Sequence, residues 1–194
     1  MSSTPVLAPD ADLQRVSDRK YILCDHLKST YETKELITSC PDCSFFFARC
    51  CSTNKHRQAR TCHHFRLVFT DGACKDNGRA GATAGMGIAF GRKPEQQFSI
   101  PVDDTVDPGA KRTSQRAELL AALEGLRLLQ YVGKVRTPHE RVYNRHGTNG
   151  GVDTREKWVV TTDSEYVVKG MTDWLPNKWK VCSRIDQRLS SCSR

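Results

Sequence analysis

The sequence predicts an α/β fold of the α+β mixed-sheet kind, in which three strands lead through a long helix to a fourth strand and a short closing helix (β-β-β-α-β-α). Three observations carry that expectation. Residues 65–70 alternate Phe65, Leu67 and Phe69 with Arg66, Val68 and Thr70, the two-residue period of a strand with at least one buried face. Thr113–Tyr131 sets Leu119, Leu120, Leu123, Leu126 and Gln130 at helical spacing, with Ala121, Ala122 and Gly125 as a thin flank. A second apolar strand, Trp158–Thr162, follows that helix and must rejoin the sheet through a helical crossover.

The bulk properties fit one domain of ordinary size with extensions. A chain of 194 residues, 38% hydrophobic and 27% charged, has the composition of a globular protein with a real core. We expect an N-terminal extension over 1–64 with a Cys-rich segment at 40–64, a domain over 65–180, and a separate tail over 181–194. The formal net charge of +8 favours an anionic partner, of which nucleic acid is the commonest. The start, MSSTPVLAPDADLQ, has no basic segment leading into an apolar run, and no stretch approaches the roughly 18 apolar residues of a membrane span. The expected setting is intracellular, whether nuclear, cytoplasmic or organellar, with no membrane partner.

Residues 1–20 are polar, contain Pro5 and Pro9, and read as a flexible tail, while 21–37 take no clear assignment. Nine cysteines follow an irregular spacing. An odd total without an export signal argues against a disulfide framework. Cys40 and Cys43 in CPDC have the spacing of half a zinc site, with Cys50, Cys51, Cys62 and His63 or His64 available for the other half. The candidate structural Zn²⁺ set is Cys40, Cys43, Cys62 and His64. Buried thiols beside Phe45, Phe46 and Phe47 are the plain alternative.

At the end of the first strand comes Asp71, on the face of Phe65, Leu67 and Phe69. A carboxylate there is costly unless compensated, and the alternative is that Asp71-Gly72 merely opens a turn. Glycines at 78, 81, 85, 87 and 91 with Met86, Ile88 and Phe90 in alternation predict a turn and a second strand. That strand leads into a third, Phe98–Val102, so a meander fits better than a nucleotide-binding glycine loop. Thr113 or Ser114 can cap the long helix. Glu118 does not sit at capping-box spacing from either residue; as a plain first-turn acid it would gain about 0.3–1 kcal/mol from the helix dipole. Residues 133–156 read as a long basic loop in which Arg136, Arg141 and Arg145 can meet phosphate. Asp163 ends the last strand, and Val167, Met171 and Trp174 then recur at i, i+4 and i+7 until Pro176 closes the helix. Three acids thus stand at the edges of regular elements. If they converge, they repel one another unless they bind divalent metal, for which carboxylate oxygens are the natural donors.

The phrases FTDGACKDNG (69–78), TSQRAE (113–118) and TTDSEYVVKGMTDW (161–174), in this order and on strand, helix and strand, resemble the type-1 ribonuclease H family. The resemblance implies an RNase H-like fold and an endonuclease that cleaves the RNA strand of an RNA–DNA hybrid with two Mg²⁺ ions, or Mn²⁺ in their place. It implies catalytic and metal-binding roles for Asp71, Glu118 and Asp163, three of the family's four acids, with Asp71 bridging the metals. It further implies that Asn77 and Gln115 meet the RNA minor groove, that Lys111 and Thr113 grip a phosphate of the DNA strand, and that Trp174 lines the DNA channel. Ser114 stands where many relatives carry Asn. After Lys180 the family pattern of a further strand, a His loop and a helix with the fourth acid is replaced by VCSRIDQRLSSCSR, in which Asp186 is the one acid. The tail therefore reads as a truncation or altered frame, with the last strand and C-terminal helix missing, Trp158–Thr162 left as an exposed edge, and catalysis impaired. Two alternatives stand beside this reading, a non-catalytic nucleic-acid-binding module and a zinc-stabilised interaction protein.

Overall fold

Apolar side chains on both faces of residues 65–70 make this segment a central strand, buried from above and below. The computed structural model describes residues 15–17, 19–49, 63, 65–132 and 157–175. In chain order the elements are β1 (Arg15–Ser17), β2 (Lys20–Ile22), α1 (Asp25–Thr30), β3 (Ile37–Ser39), β4 (Phe46–Ala48), β5 (Phe65–Lys75), β6 (Thr83–Ala89), β7 (Gln97–Val102), α2 (Ser114–Val132), β8 (Lys157–Thr161) and α3 (Glu165–Lys169). From β5 onward this is the expected β-β-β-α-β-α order of a mixed α+β sheet.

The second half of β5 pairs antiparallel with β6, from Phe69↔Ala89 to Lys75↔Thr83, and β6 pairs antiparallel with β7. Along β5, β8 runs parallel from Phe65↔Lys157 to Phe69↔Thr161. Met86, Ile88 and Phe90 are all buried, as their alternation predicts. One core cluster joins Val68, Ile88 and Phe90 to Phe47, with Trp158 edge-on to Phe90 at 5.7 Å.

Three differences from the sequence expectation concern the sheet and the long helix packed on it. Asp71-Gly72 does not open a turn: β5 continues to Lys75 because β6 supplies a ladder partner for each residue, and Asp71 sits opposite Gly87. The reversal comes at Asp76–Gly78, where Asp76 (φ 56°) and Gly78 (φ 75°) take left-handed backbone. Secondly, residues 37–48, part of the expected extension, are built into the main sheet. β3 and β4 form a hairpin, and β4 joins β5 at Phe47↔Arg66, on the edge where β6 leaves off.

The third difference concerns α2, whose small residues face the sheet. Ala117, Ala121, Ala122 and Gly125 are buried, while Leu123 and Leu126 are exposed. The cause is a close approach of two backbones. A Cβ placed on Gly72 would lie 2.2 Å from the Glu118 nitrogen and 2.3 Å from the Ala117 carbonyl carbon, and one on Gly125 would lie 2.9 Å from Cγ2 of Thr70. At that separation leucine does not fit, so the thin flank becomes the packing face.

After α3 the helix widens into a π-turn over Gly170–Trp174. The wider turn breaks the i, i+4 phase: Val167 and Gly170 are buried, whereas Met171 is exposed. Among the described residues no helix is long and apolar enough to cross a membrane. The flexible tail expected over 1–20 is corrected at its end, where Arg15–Ser17 pairs antiparallel with Lys20–Ile22 as β1 and β2; the rest of it at 1–14, the 133–156 loop with Arg136, Arg141 and Arg145, and 181–194 with Asp186 lie outside the described residues.

Candidate active site

The parallel register sets the first two acids side by side. Phe69 pairs with Thr161, so two residues further along Asp71 and Asp163 come abreast where β8 ends. Asp163 is held in a tight turn: the Ser164 N–H donates to Oγ1 of Thr162 at 3.1 Å, and the Val167 N–H donates to Oγ of Ser164 at 3.4 Å, capping α3. The third acid comes from α2. Thr113 caps that helix, its Oγ1 accepting from the Arg116 N–H at 3.2 Å. Glu118 lies five residues beyond the cap, where the α2 backbone presses on Gly72. One ligand oxygen from each of Asp71, Glu118 and Asp163 can be chosen so that all lie within 4.8 Å of one another.

Such a group is electrostatically strained. Burial, then the charges of Asp71 and Asp163, push the Glu118 carboxyl above its usual range, and a hydrogen bond from the Gly72 N–H opposes them. Oε2 of Glu118 is buried with no hydrogen-bond partner among the described residues. No lysine or arginine of the described residues forms an ion pair with any of the three. Hard anionic oxygens, one of them buried and unsatisfied, are the donor set that a divalent cation completes. Asp71 and Asp163 also line a concave surface of about 720 Å³ that includes Phe69, Ile88, Phe98 and Thr161.

Around the acids, hydrogen bonds tie two segments with proposed substrate roles. Oδ1 of Asn77 accepts from the Ser114 N–H at 2.9 Å, and the Gly78 N–H donates to the Arg112 carbonyl at 2.7 Å. Asn77 thus helps to satisfy the start of α2 and keeps its amide N–H groups as donors. Lys111 and Gln115 are exposed on either side of Thr113, on the same loop and first helical turn. Trp174 belongs to the π-turn after α3, where its ring stands edge-on to Tyr166 at 5.0 Å.

Two positioning residues had no sequence signature. Gly72 looks like any strand glycine until the helix is seen lying on it. Asp107, buried in the loop before α2, pairs with Arg116 through Nε and through Nη2 (2.6 Å to Oδ1), and its carbonyl accepts from Nη1 of Arg112 at 2.8 Å. The Arg116 hydrogen bond holds the Asp107 carboxyl below the usual carboxylate range, against the opposing effect of burial. Because the folded value is the lower one, the pair stabilises the fold above an unfolded pKa of about 3.9 and ceases to do so as pH falls through the folded value. We expect Asp107→Asn to lower the thermal midpoint at pH 7 and to flatten the acid limb of the stability profile. An unchanged melting curve from pH 7 to pH 3 would remove this pair from the anchoring of α2.

Of the expected zinc set, Cys40 and Cys43 lie among the described residues. Cys40 and Cys43 are buried, and the imidazole that meets them belongs to His63; Cys62 and His64 lie outside the described residues. Burial, first of all, pushes the Cys43 thiol up to about 11; its hydrogen bond and charge interaction with Cys40 act the same way, and Arg66 acts against them.

The RNase H family model matches residues 64–191, about two thirds of the chain and continuing past Lys180. The chain belongs to the RNase H family. Similar curated proteins are a ribonuclease H of Schizosaccharomyces pombe, 30% identical over 66% of this chain and 37% of its own length, and a ribonuclease H of Bordetella avium, 35% identical over 58% and 52%. Ribonuclease H1 of Rattus norvegicus is 30% identical over 59% of this chain and 30% of its own length. The chain thus spans about half or less of the length of these relatives. Within the matched residues lie all three clustered acids and the Asn77 and Thr113 positions of this RNase H domain.

Proposed function

We propose that this chain is a divalent-metal-dependent ribonuclease H that hydrolyses the RNA strand of RNA–DNA hybrids. The observation that carries the proposal is the approach of Asp71, Glu118 and Asp163 to within 4.8 Å, with an unsatisfied buried oxygen on Glu118. The family supports the reaction class, and the names of the relatives support a ribonuclease. The net charge of +8 supports a polyanionic substrate.

In this reading Asp71, Glu118 and Asp163 hold the divalent ions, Mg²⁺ with Mn²⁺ as a substitute. When bound, such ions lower the pKa of an attacking water and stabilise the oxygen that leaves the phosphorus. The protein's own part is positioning. Gly72 lets α2 bring Glu118 to Asp71, and its N–H orients the Glu118 carboxylate. The amide donors of Asn77 and the side chain of Gln115 are suited to ribose 2′-hydroxyls, the groups that distinguish RNA from DNA. Lys111 and Thr113 supply an ammonium and a hydroxyl for a phosphate of the opposite strand, and Trp174 offers an aromatic face to the substrate channel.

The test is cleavage of a hybrid carrying separate labels on its RNA and DNA strands, in Mg²⁺, beside single-stranded RNA and duplex RNA of the same sequence. The expected result is RNA-strand cuts in the hybrid alone, abolished by EDTA. Binding of the hybrid without cleavage would instead favour a non-catalytic binding module.

A further inference from the structure

The chain holds a second convergence of donors, on the other half of β5 from the acids. Cys40, Cys43 and His63 can place two sulfurs and one ring nitrogen within 4.8 Å of one another, and all three residues are at least nine-tenths buried (3%, 9% and 4% exposed). The turn that carries the cysteines is closely built. The Ser44 N–H donates to the Cys40 carbonyl at 2.8 Å, the Cys40 N–H donates to the Phe45 carbonyl at 3.1 Å, and Ser44 takes a left-handed backbone (φ 65°) that closes the loop. This turn presents both sulfurs from one short loop. The His63 ring is stacked on Phe47 at 4.2 Å, with Nε2 4.0 Å from Sγ of Cys43.

We propose that Cys40, Cys43 and His63 bind a structural zinc ion that fastens the β3–β4 hairpin to the start of β5. Tetrahedral zinc, with sulfur at about 2.3 Å and nitrogen at about 2.0–2.1 Å, needs donors about 3.5–3.8 Å apart. The 4.0 Å between Sγ of Cys43 and Nε2 of His63, and the 4.8 Å bound on the other pairs, call for a contraction of at most about 1 Å. The donor types select zinc over Mg²⁺ or Ca²⁺, which take oxygen. Binding would release the two thiol protons, since thiolate is the form of cysteine that ligates zinc. A fourth donor, side chain or water, completes the tetrahedron.

The location gives the ion its role. The Cys43 carbonyl accepts from Nε2 of Gln96 at 3.0 Å, the Arg92 N–H donates to the Ser44 carbonyl at 3.0 Å, and the Phe46 N–H donates to the Phe90 carbonyl at 2.8 Å. One ion therefore joins the hairpin, the head of the central strand and the β6–β7 connection, while Cys40 and Cys43 belong to the same core cluster as Val68 and Phe90.

The full chain, purified under reducing conditions and desalted into metal-free buffer, should carry about one zinc per molecule by elemental mass spectrometry. Cys40→Ser and His63→Ala should each lose it, whereas Cys74→Ser and Asp71→Asn should keep it, separating this site from the carboxylates. Cobalt in place of zinc should give sulfur-to-metal absorption that Cys43→Ser abolishes. If a variant does not fold, wild-type protein stripped of metal and titrated with zinc chloride decides the matter. Its melting temperature should rise by about 5 °C or more at saturation. A melting temperature indifferent to zinc chloride, a Cys40–Cys43 disulfide in the reduced preparation, or undiminished zinc in His63→Ala would overturn the proposal. None of these readouts depends on ribonuclease activity.

Discussion

Asp71→Asn is expected to lower Mg²⁺-dependent cleavage of the hybrid by at least about 10²–10³-fold, the scale at which removal of one element of a preorganised electrostatic site acts. Asp71 sits mid-strand opposite Gly87 and beside the end of β8, so an isosteric amide keeps the ladder intact. What changes is charge. The same substitution relieves repulsion on Glu118, whose carboxyl is pushed up in part by Asp71. The metal-free variant should therefore melt no lower than wild type, and somewhat higher at low ionic strength. Loss of activity with retained or raised stability separates a chemical role from a structural one. A variant that melts well below wild type would assign Asp71 to the fold instead.

Gly72→Ala has the second largest expected effect. Its new methyl would meet the Glu118 nitrogen at 2.2 Å and the Ala117 carbonyl oxygen at 2.6 Å. These are backbone atoms of a helix packed along the sheet, and they cannot rotate aside as a side chain can. Overpacking of this kind costs about 1–3 kcal/mol, and relief requires α2 to lift from β5. Because Glu118 travels with α2, cleavage should fall by more than the loss of folded protein accounts for. Activity per folded molecule, measured below the variant's melting transition, checks this. Wild-type activity per folded molecule would mean that α2 tolerates the shift without disturbing the acids.

Much of this was legible in the residues. The alternation in 65–70, the helical run from Thr113 and the apolar segment at 158–162 gave the elements, and the acids at their edges are the three that converge into the candidate site. What escaped depends on contacts between distant segments. Strand or turn at Asp71-Gly72 is decided by whether β6 supplies partners, which no local pattern reveals. The packing face of α2 was read from its leucines, yet the bare backbone at Gly72 draws the helix so close that only alanine and glycine fit. β3 and β4 are three residues each, too short for a two-residue period to register. His63 and His64 are adjacent, and sequence spacing alone gave no reason to prefer the one that stacks on Phe47.

The account turns on whether the three carboxylates hold divalent metal together. Calorimetric titration of Mn²⁺ into the full chain, against the same titration into Glu118→Gln, tests that most directly, with zinc held constant so that the thiol cluster does not contribute. Saturable binding in the wild type that weakens by at least about tenfold in Glu118→Gln is the predicted result. Identical isotherms for the two proteins would contradict it.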